Sequence, residues 1–150
     1  MNGEEIISLI ARDGVLKQKF HGVFAANELP NYIPVGKGLI VNCCKRSLPG
    51  KHWLAIYKSS CRQIEFFDSF GGKPSDYGLN IKTDLLVRSN NIQLQNFFSD
   101  VCGLYCIFYL SKRVRGNGMT SIFNMFSHSN TLFNDSLLKK KMYSHFNHLQ

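Results

Sequence analysis

From Val101 to Arg113 the chain is apolar nearly all round, with charge only at its end, Lys112 and Arg113. A helix without a polar face has to be enclosed by the rest of its domain. The chain has 150 residues, about one domain's worth. This segment therefore predicts a helix through the centre of a single domain covering residues 1–150. The run Val101–Leu110, about ten residues, is half of the roughly 20 that a membrane span needs, so no membrane role is expected. The opening MNGEEIISLIARDG lacks the basic and apolar regions of a signal peptide, and the expectation is a protein that is not secreted.

The remaining pattern is mixed. Glu4–Arg12 carries Ile6, Ile7, Leu9 and Ile10 on roughly one face, with Glu4 and Glu5 in the first turn where the helix dipole favours them. This predicts a short helix stopping at Gly14. Phe20–Pro34, punctuated by Gly22, Pro30 and Pro34, reads as irregular. Gly38–Cys44 reads as a buried strand and Ser47–Lys51 as a turn. Trp53–Lys58 and Gln63–Asp68 read as an antiparallel hairpin. Tyr77–Arg88 is expected to contain a helix, Asn91–Phe97 a further strand, and Thr120–Phe126 and Asp135–His145 two C-terminal helices. The sum is an α+β domain: a small, mostly antiparallel sheet packed by helices.

Eighteen Lys and Arg against ten acids give a net charge of +8. Such a balance favours acidic partners, nucleic acid among them, or serves solubility alone. Lys112, Arg113, Arg115 and Lys139–Lys141 are the candidates for a sequence-independent, salt-sensitive phosphate surface. The five cysteines are odd in number and show no CxxC spacing, which argues against a disulfide framework or zinc ribbon and for reduced thiols. A metal site of Cys102, Cys106 and His52 has poor spacing.

Cys102 opens the central helix, just after Asp100, a good capping residue. Unpaired N–H groups at a helix start favour the thiolate, and Gly103 leaves the approach open. Such a cysteine is either a nucleophile or a small buried apolar residue. A thiol nucleophile needs a base, and His52 stands at the head of a strand. With the hairpin centred on residue 60, Tyr57 faces Gln63, Trp53 faces Phe67 and His52 faces Asp68, which puts the imidazole and the carboxylate on one face. That is a base with its orienting acid, or a structural His–Asp contact. Gln95, seven residues before Cys102, has an amide suited to a developing oxyanion together with the Cys102 N–H. On composition Gln93 is an equal candidate.

The ordered set His52-Trp53, Asp68 in FFDSFG, Gln95 and Cys102-Gly103-Leu104-Tyr105-Cys106 resembles the adenovirus-type cysteine endopeptidases (adenain) and their relatives in Polinton/Maverick elements and virophages. The resemblance runs over almost the whole chain, with MNGEEIISLIARDG as the family's first helix, GLIVNCC as its first core strand and KKKMYSHFNHL as its last helix. It implies a circularly permuted papain-like (adenain/Ulp1-like) cysteine protease fold. It implies His52 as base, Asp68 as its orienter, Gln95 in the oxyanion hole and Cys102 as nucleophile, with Trp53 packed near the imidazole. The implied activity is cleavage of viral capsid or core precursors near glycine during particle maturation. The implied location is the virion and the host cell interior, in the nucleus or a viral factory. A monomer that needs no cofactor for its chemistry is expected. Activation by DNA or a short basic peptide belongs to adenoviral members, but no cysteine lies between Cys61 and Cys102 to tether such a peptide by a disulfide. Two alternatives stand beside this reading. One is a deconjugase of ubiquitin-like proteins, which shares the chemistry but typically has a Gln-to-Cys separation of six. The other is a non-catalytic basic DNA-packaging protein.

Overall fold

A computed structural model describes residues 1–43, 52–81 and 84–148. Helix α1 spans Gly3–Ala11. Asn2 Oδ1 accepts the Glu5 N–H at 2.9 Å and the Glu5 carboxylate accepts the Asn2 N–H at 2.7 Å, a reciprocal cap. The expected stop at Gly14 is instead a new start. Asp13 accepts the N–H groups of Val15 and Leu16 and caps a second helix, α2, over Gly14–Lys19.

Five strands follow: β1 Phe20–Ala25, β2 Gly38–Asn42, β3 Trp53–Ser60, β4 Gln63–Phe67 and β5 Leu86–Ser89. They lie side by side in chain order. The two outer pairings are parallel and the two inner ones antiparallel, so the sheet is evenly mixed rather than mostly antiparallel. Three expectations are corrected. Phe20–Ala25 is a strand, not irregular chain. Its alternation is broken where Gly22, at φ 147°, takes a register shift against β2. Tyr77–Arg88 holds no helix among the described residues. Pro74–Tyr77 makes one 3-10 turn, closed by Gly78 at φ 65°, and the chain then runs into β5. Asn91–Phe97 is not a strand, because Leu94 and Gln95 both donate their N–H groups to the Ser69 carbonyl, at 2.8 and 3.0 Å. Cys44, at the end of the strand expected over Gly38–Cys44, and the expected turn Ser47–Lys51 lie outside the described residues.

Helix α3 spans Cys102–Val114, α4 Met119–Phe123 and α5 Thr131–His148. The period-two pattern of the inner strands sorts their side chains to two cores. Ile40, Ala55, Tyr57 and Phe67 face α1, α3 and α5. Leu39, Val41, Leu54, Ile56, Ile64 and Phe66 face the other way, under Ile33 and Leu79. Helix α3 lies against β3 with nine buried residues. Gly38 permits the close approach: a Cβ there would fall 2.5 Å from a methyl carbon of Leu110 and 3.2 Å from the Ile56 carbonyl oxygen. Among the described residues no helix is long and apolar enough to cross a membrane.

Two buried carboxylates fix the helices. Asp13 accepts Nη1 and Nη2 of Arg115 (2.9 and 2.7 Å), His145 Nε2 (2.9 Å) and the Ser111 hydroxyl (3.0 Å). Through it α2, α3 and α5 meet at one point. Glu65 on β4 accepts Arg113 Nε and Nη2 of α3 at 2.8 and 2.9 Å and the Tyr109 hydroxyl at 2.5 Å. Arg113 and Arg115 therefore serve internal ion pairs. Replacing Arg113 by Met strands Glu65 in the interior. A loss of about 3–5 kcal/mol is expected, read as a lowered midpoint in urea unfolding.

Candidate active site

The hairpin holds His52 and Asp68 together, though in a different register from the one expected. Phe67 pairs with Ala55, Phe66 with Ile56 and Glu65 with Tyr57, with a bulge at Lys58/Ser60. Trp53 does not face Phe67, nor Tyr57 Gln63. The slip is two residues, and an even slip leaves every side chain on its own face. His52 Nε2 and Asp68 Oδ1 accordingly lie 2.7 Å apart. Extended past the strand end, the same pairing sets residue 70 opposite His52, and the Phe70 ring stacks on the imidazole at 4.6 Å and 19°.

Helix α3 delivers the sulfur. Cys102 is its first residue and Val101 its cap, with no side-chain cap bond among the described residues. Asp100, one step too early, is exposed. The Cys102 thiol is buried and borders the same groove as His52, close enough to the imidazole and to the backbone at Trp53 and Gly103 for them to act on its charge. Since Nε2 of the imidazole is taken by Asp68, Nδ1 is the nitrogen left for the sulfur. His52, Asp68 and Cys102 thus form one row, with the imidazole hydrogen-bonded to the carboxylate on one side and next to the sulfur on the other.

Gln95 is buried and borders the same groove, a space of about 240 Å³ lined also by His52, Trp53, Phe70, Ser99 and Cys102. Its Oε1 accepts the Ser69 hydroxyl at 2.6 Å, and its Nε2 donates to the Ser99 carbonyl and hydroxyl at 3.0 and 3.1 Å. The amide is held rigidly but is turned to Ser99 in this state. Gln93 has a different duty, donating to the Gln95 carbonyl at 2.9 Å. Trp53 lines the groove with its indole N–H bonded to the Met1 carbonyl at 2.9 Å.

Charge in the row follows from its partners. Burial opposes the charged imidazole, yet the hydrogen bonds and charges of Asp68 and Cys102 outweigh it and hold His52 at about 9. Burial likewise opposes the thiolate, but the hydrogen bond from His52, with the backbone donors, pulls Cys102 below the usual thiol value. Both shifts favour a thiolate–imidazolium pair. One turn further on, burial drives the Cys106 thiol well above its ordinary range, so it stays neutral beside that pair.

No family model and no curated protein sequence matches the chain. Solved structures do. The ASFV pS273R protease superposes with a TM-score of 0.59 over 99% of this chain and 66% of its own, at 20% identity. The fold is that Ulp1-like protease fold. A selenomethionine form of the same ASFV protease matches over 75% of this chain and 43% of its own, at 23% identity and a TM-score of 0.47. The central domain of the Lpg1148 protein of Legionella pneumophila matches over 87% and 88%, at 13% identity and 0.46. The chain therefore spans just under two thirds of the ASFV protease's length.

Within this protease fold, the segment that closes on Asp68 contains the residues missed in the sequence. Oδ1 of Asp68 accepts His52 and the Phe70 N–H (2.9 Å), and Oδ2 accepts the Gly72 N–H (2.9 Å) and the Tyr77 hydroxyl. Burial alone would raise this carboxyl, but its donors, His52 and Tyr77 foremost, hold it below the ordinary carboxylate range. The Tyr77 ring also leans on the imidazole, 5.6 Å away at 35°. Asn90 brackets the Asp68 backbone, accepting its N–H at 2.8 Å and donating to its carbonyl at 2.5 Å. Neither residue has a spacing signal, because both act through chain folded back from afar. Tyr77→Phe deletes a hydrogen bond to a buried charge while keeping the ring. It should cost about 1.5–3 kcal/mol, measurable in the same urea experiment.

Proposed function

We propose that the protein is a viral cysteine endopeptidase of adenain type that cleaves precursor proteins near glycine-containing sites during particle maturation. The observation that supports this reading above all is the row of Cys102, His52 and Asp68 at the mouth of a groove. The fold shared with a viral protease agrees with it.

In the proposed cycle the Cys102 thiolate attacks the scissile carbonyl carbon. The carbonyl oxygen becomes an oxyanion, bound by the Cys102 N–H at the start of α3 and by the Gln95 amide, which turns from Ser99 to reach it. The C–N bond breaks as His52 gives its proton to the departing amine, leaving a thioester on Cys102. Water, deprotonated by His52, then attacks the thioester. The acid product leaves, and the sulfur departs as the thiolate beside a reprotonated imidazole. Asp68 keeps its charge throughout and steadies the imidazolium.

DNA is the proposed polyanionic partner. With Arg113 and Arg115 engaged internally, Lys112 and Lys139–Lys141 are the members of the basic set left to meet phosphates, and binding would weaken steeply with salt. Activation by DNA or by a non-covalent basic peptide belongs to the same proposal.

The test is cleavage of peptides with Gly-Gly or Gly-Ala before the scissile bond. Cys102→Ala should lower kcat/KM by at least about 10⁴-fold. Asp68→Asn should lower it less, by about 10²-fold. Undiminished cleavage by the Cys102 variant would defeat the scheme. A faster reaction on an intact ubiquitin-like fusion than on the free peptide would favour the deconjugase.

The pH profile follows from the two shifts. Activity rises as Cys102 loses its proton, below the usual thiol value of 9.0, and falls as His52 loses its own near 9. In Asp68→Asn the carboxylate that raises His52 is gone, so the alkaline limb should move to lower pH. A limb that stays in place would show that Asp68 does not act through the imidazole.

A further inference from the structure

Beside the groove stands an apolar surface that the catalytic cycle does not use. The Phe97 ring leans on Phe70, centroids 5.2 Å apart, and Phe70 stacks on His52. Phe97 is 66% exposed and Phe98 99% exposed. Single exposed apolar residues are ordinary, but two rings in contact at the rim of a site, Phe70 and Phe97, with the exposed Phe98 next in the chain, mark a contact surface. The turn that carries them is fastened. Asn96 accepts the Phe98 N–H through its side chain (3.0 Å) and both the N–H and the hydroxyl of Ser99 through its carbonyl (3.1 and 3.0 Å). Its amide donates to Thr131 at the start of α5 (3.2 Å). The rings are held outward by hydrogen bonds, not left there by a slack loop.

The position of the surface relative to the chemistry says what it meets. The departing amine takes its proton from His52, so the part of the substrate after the scissile bond lies on the imidazole side of the groove. Phe70 covers that imidazole and Phe97 extends it outward. We infer that Phe70, Phe97 and Phe98 form the subsite for the leaving-group half of the substrate and select an apolar side chain within the first few residues after the cleaved bond. The inference rests on the protease reading above. It adds a preference on the amine side to the expected glycine on the acyl side.

The experiment uses matched peptides that share Gly-Gly before the scissile bond and carry Leu or Ser at the first, second or third position after it. The native chain should favour Leu in at least one position by about tenfold in kcat/KM, the scale of discrimination an apolar pocket gives. Phe97→Ser and Phe98→Ser, singly and together, should compress that ratio to under about threefold. Equal cleavage of Leu and Ser peptides at all three positions, or a preference that survives the double substitution, overturns the inference alone. Cleavage of none of the peptides by the native chain overturns the protease reading, and this inference with it.

Discussion

Everything in this domain is arranged around the contact between α3 and β3. The helix has no face that tolerates water, so the sheet must receive it closely and other helices must cover what the sheet leaves open. Gly38 supplies the close seat, with Leu110 in the space a side chain would occupy. Once α3 is pressed onto β3, its first residue lies at the head of that strand. Burial thus settles where the sulfur goes, and the neighbouring imidazole needs no separate device to find it.

The same economy governs the carboxylate. Asp68 has four donors on two oxygens, two of them backbone N–H groups of the turn that follows it. An acceptor so surrounded keeps its negative charge despite complete burial. The turn therefore has two consequences at once. It orients the acid toward His52, and it brings Phe70 and Tyr77 against the imidazole, so that the ring is held between aromatic surfaces as well as bonded at its edge.

What could be read in the amino acids was whatever depends on local pattern. The central helix, the strand at Gly38, the hairpin and the two C-terminal helices are written in periodicity and turn residues. Residues 52 and 68 were legible as a pair because parity is forgiving: the true register differs by two, and only an odd slip would have parted them. Strand β1 was hidden by the bulge at Gly22 and by half-burial that removes clean alternation. Strand β5 was hidden because its first residues, Leu86–Arg88, read as the end of a helix. The segment around Gln95 resembled a strand but is pinned to Ser69 by backbone bonds that no local pattern announces. Tyr77 and Asn90 were invisible for the same reason, since each completes a site assembled from distant chain.

Asp13 has a consequence for how the molecule moves. One buried carboxylate joins the start of α2, the end of α3 and the last turns of α5. Separating any one of these helices would leave an enclosed negative charge short of partners, a costly intermediate. Fraying by stages is therefore disfavoured, and the helical side of the domain is expected to open as one cooperative unit in amide exchange. The platform beneath the Cys102 sulfur is accordingly stiff, and adjustment is left to side chains at the rim.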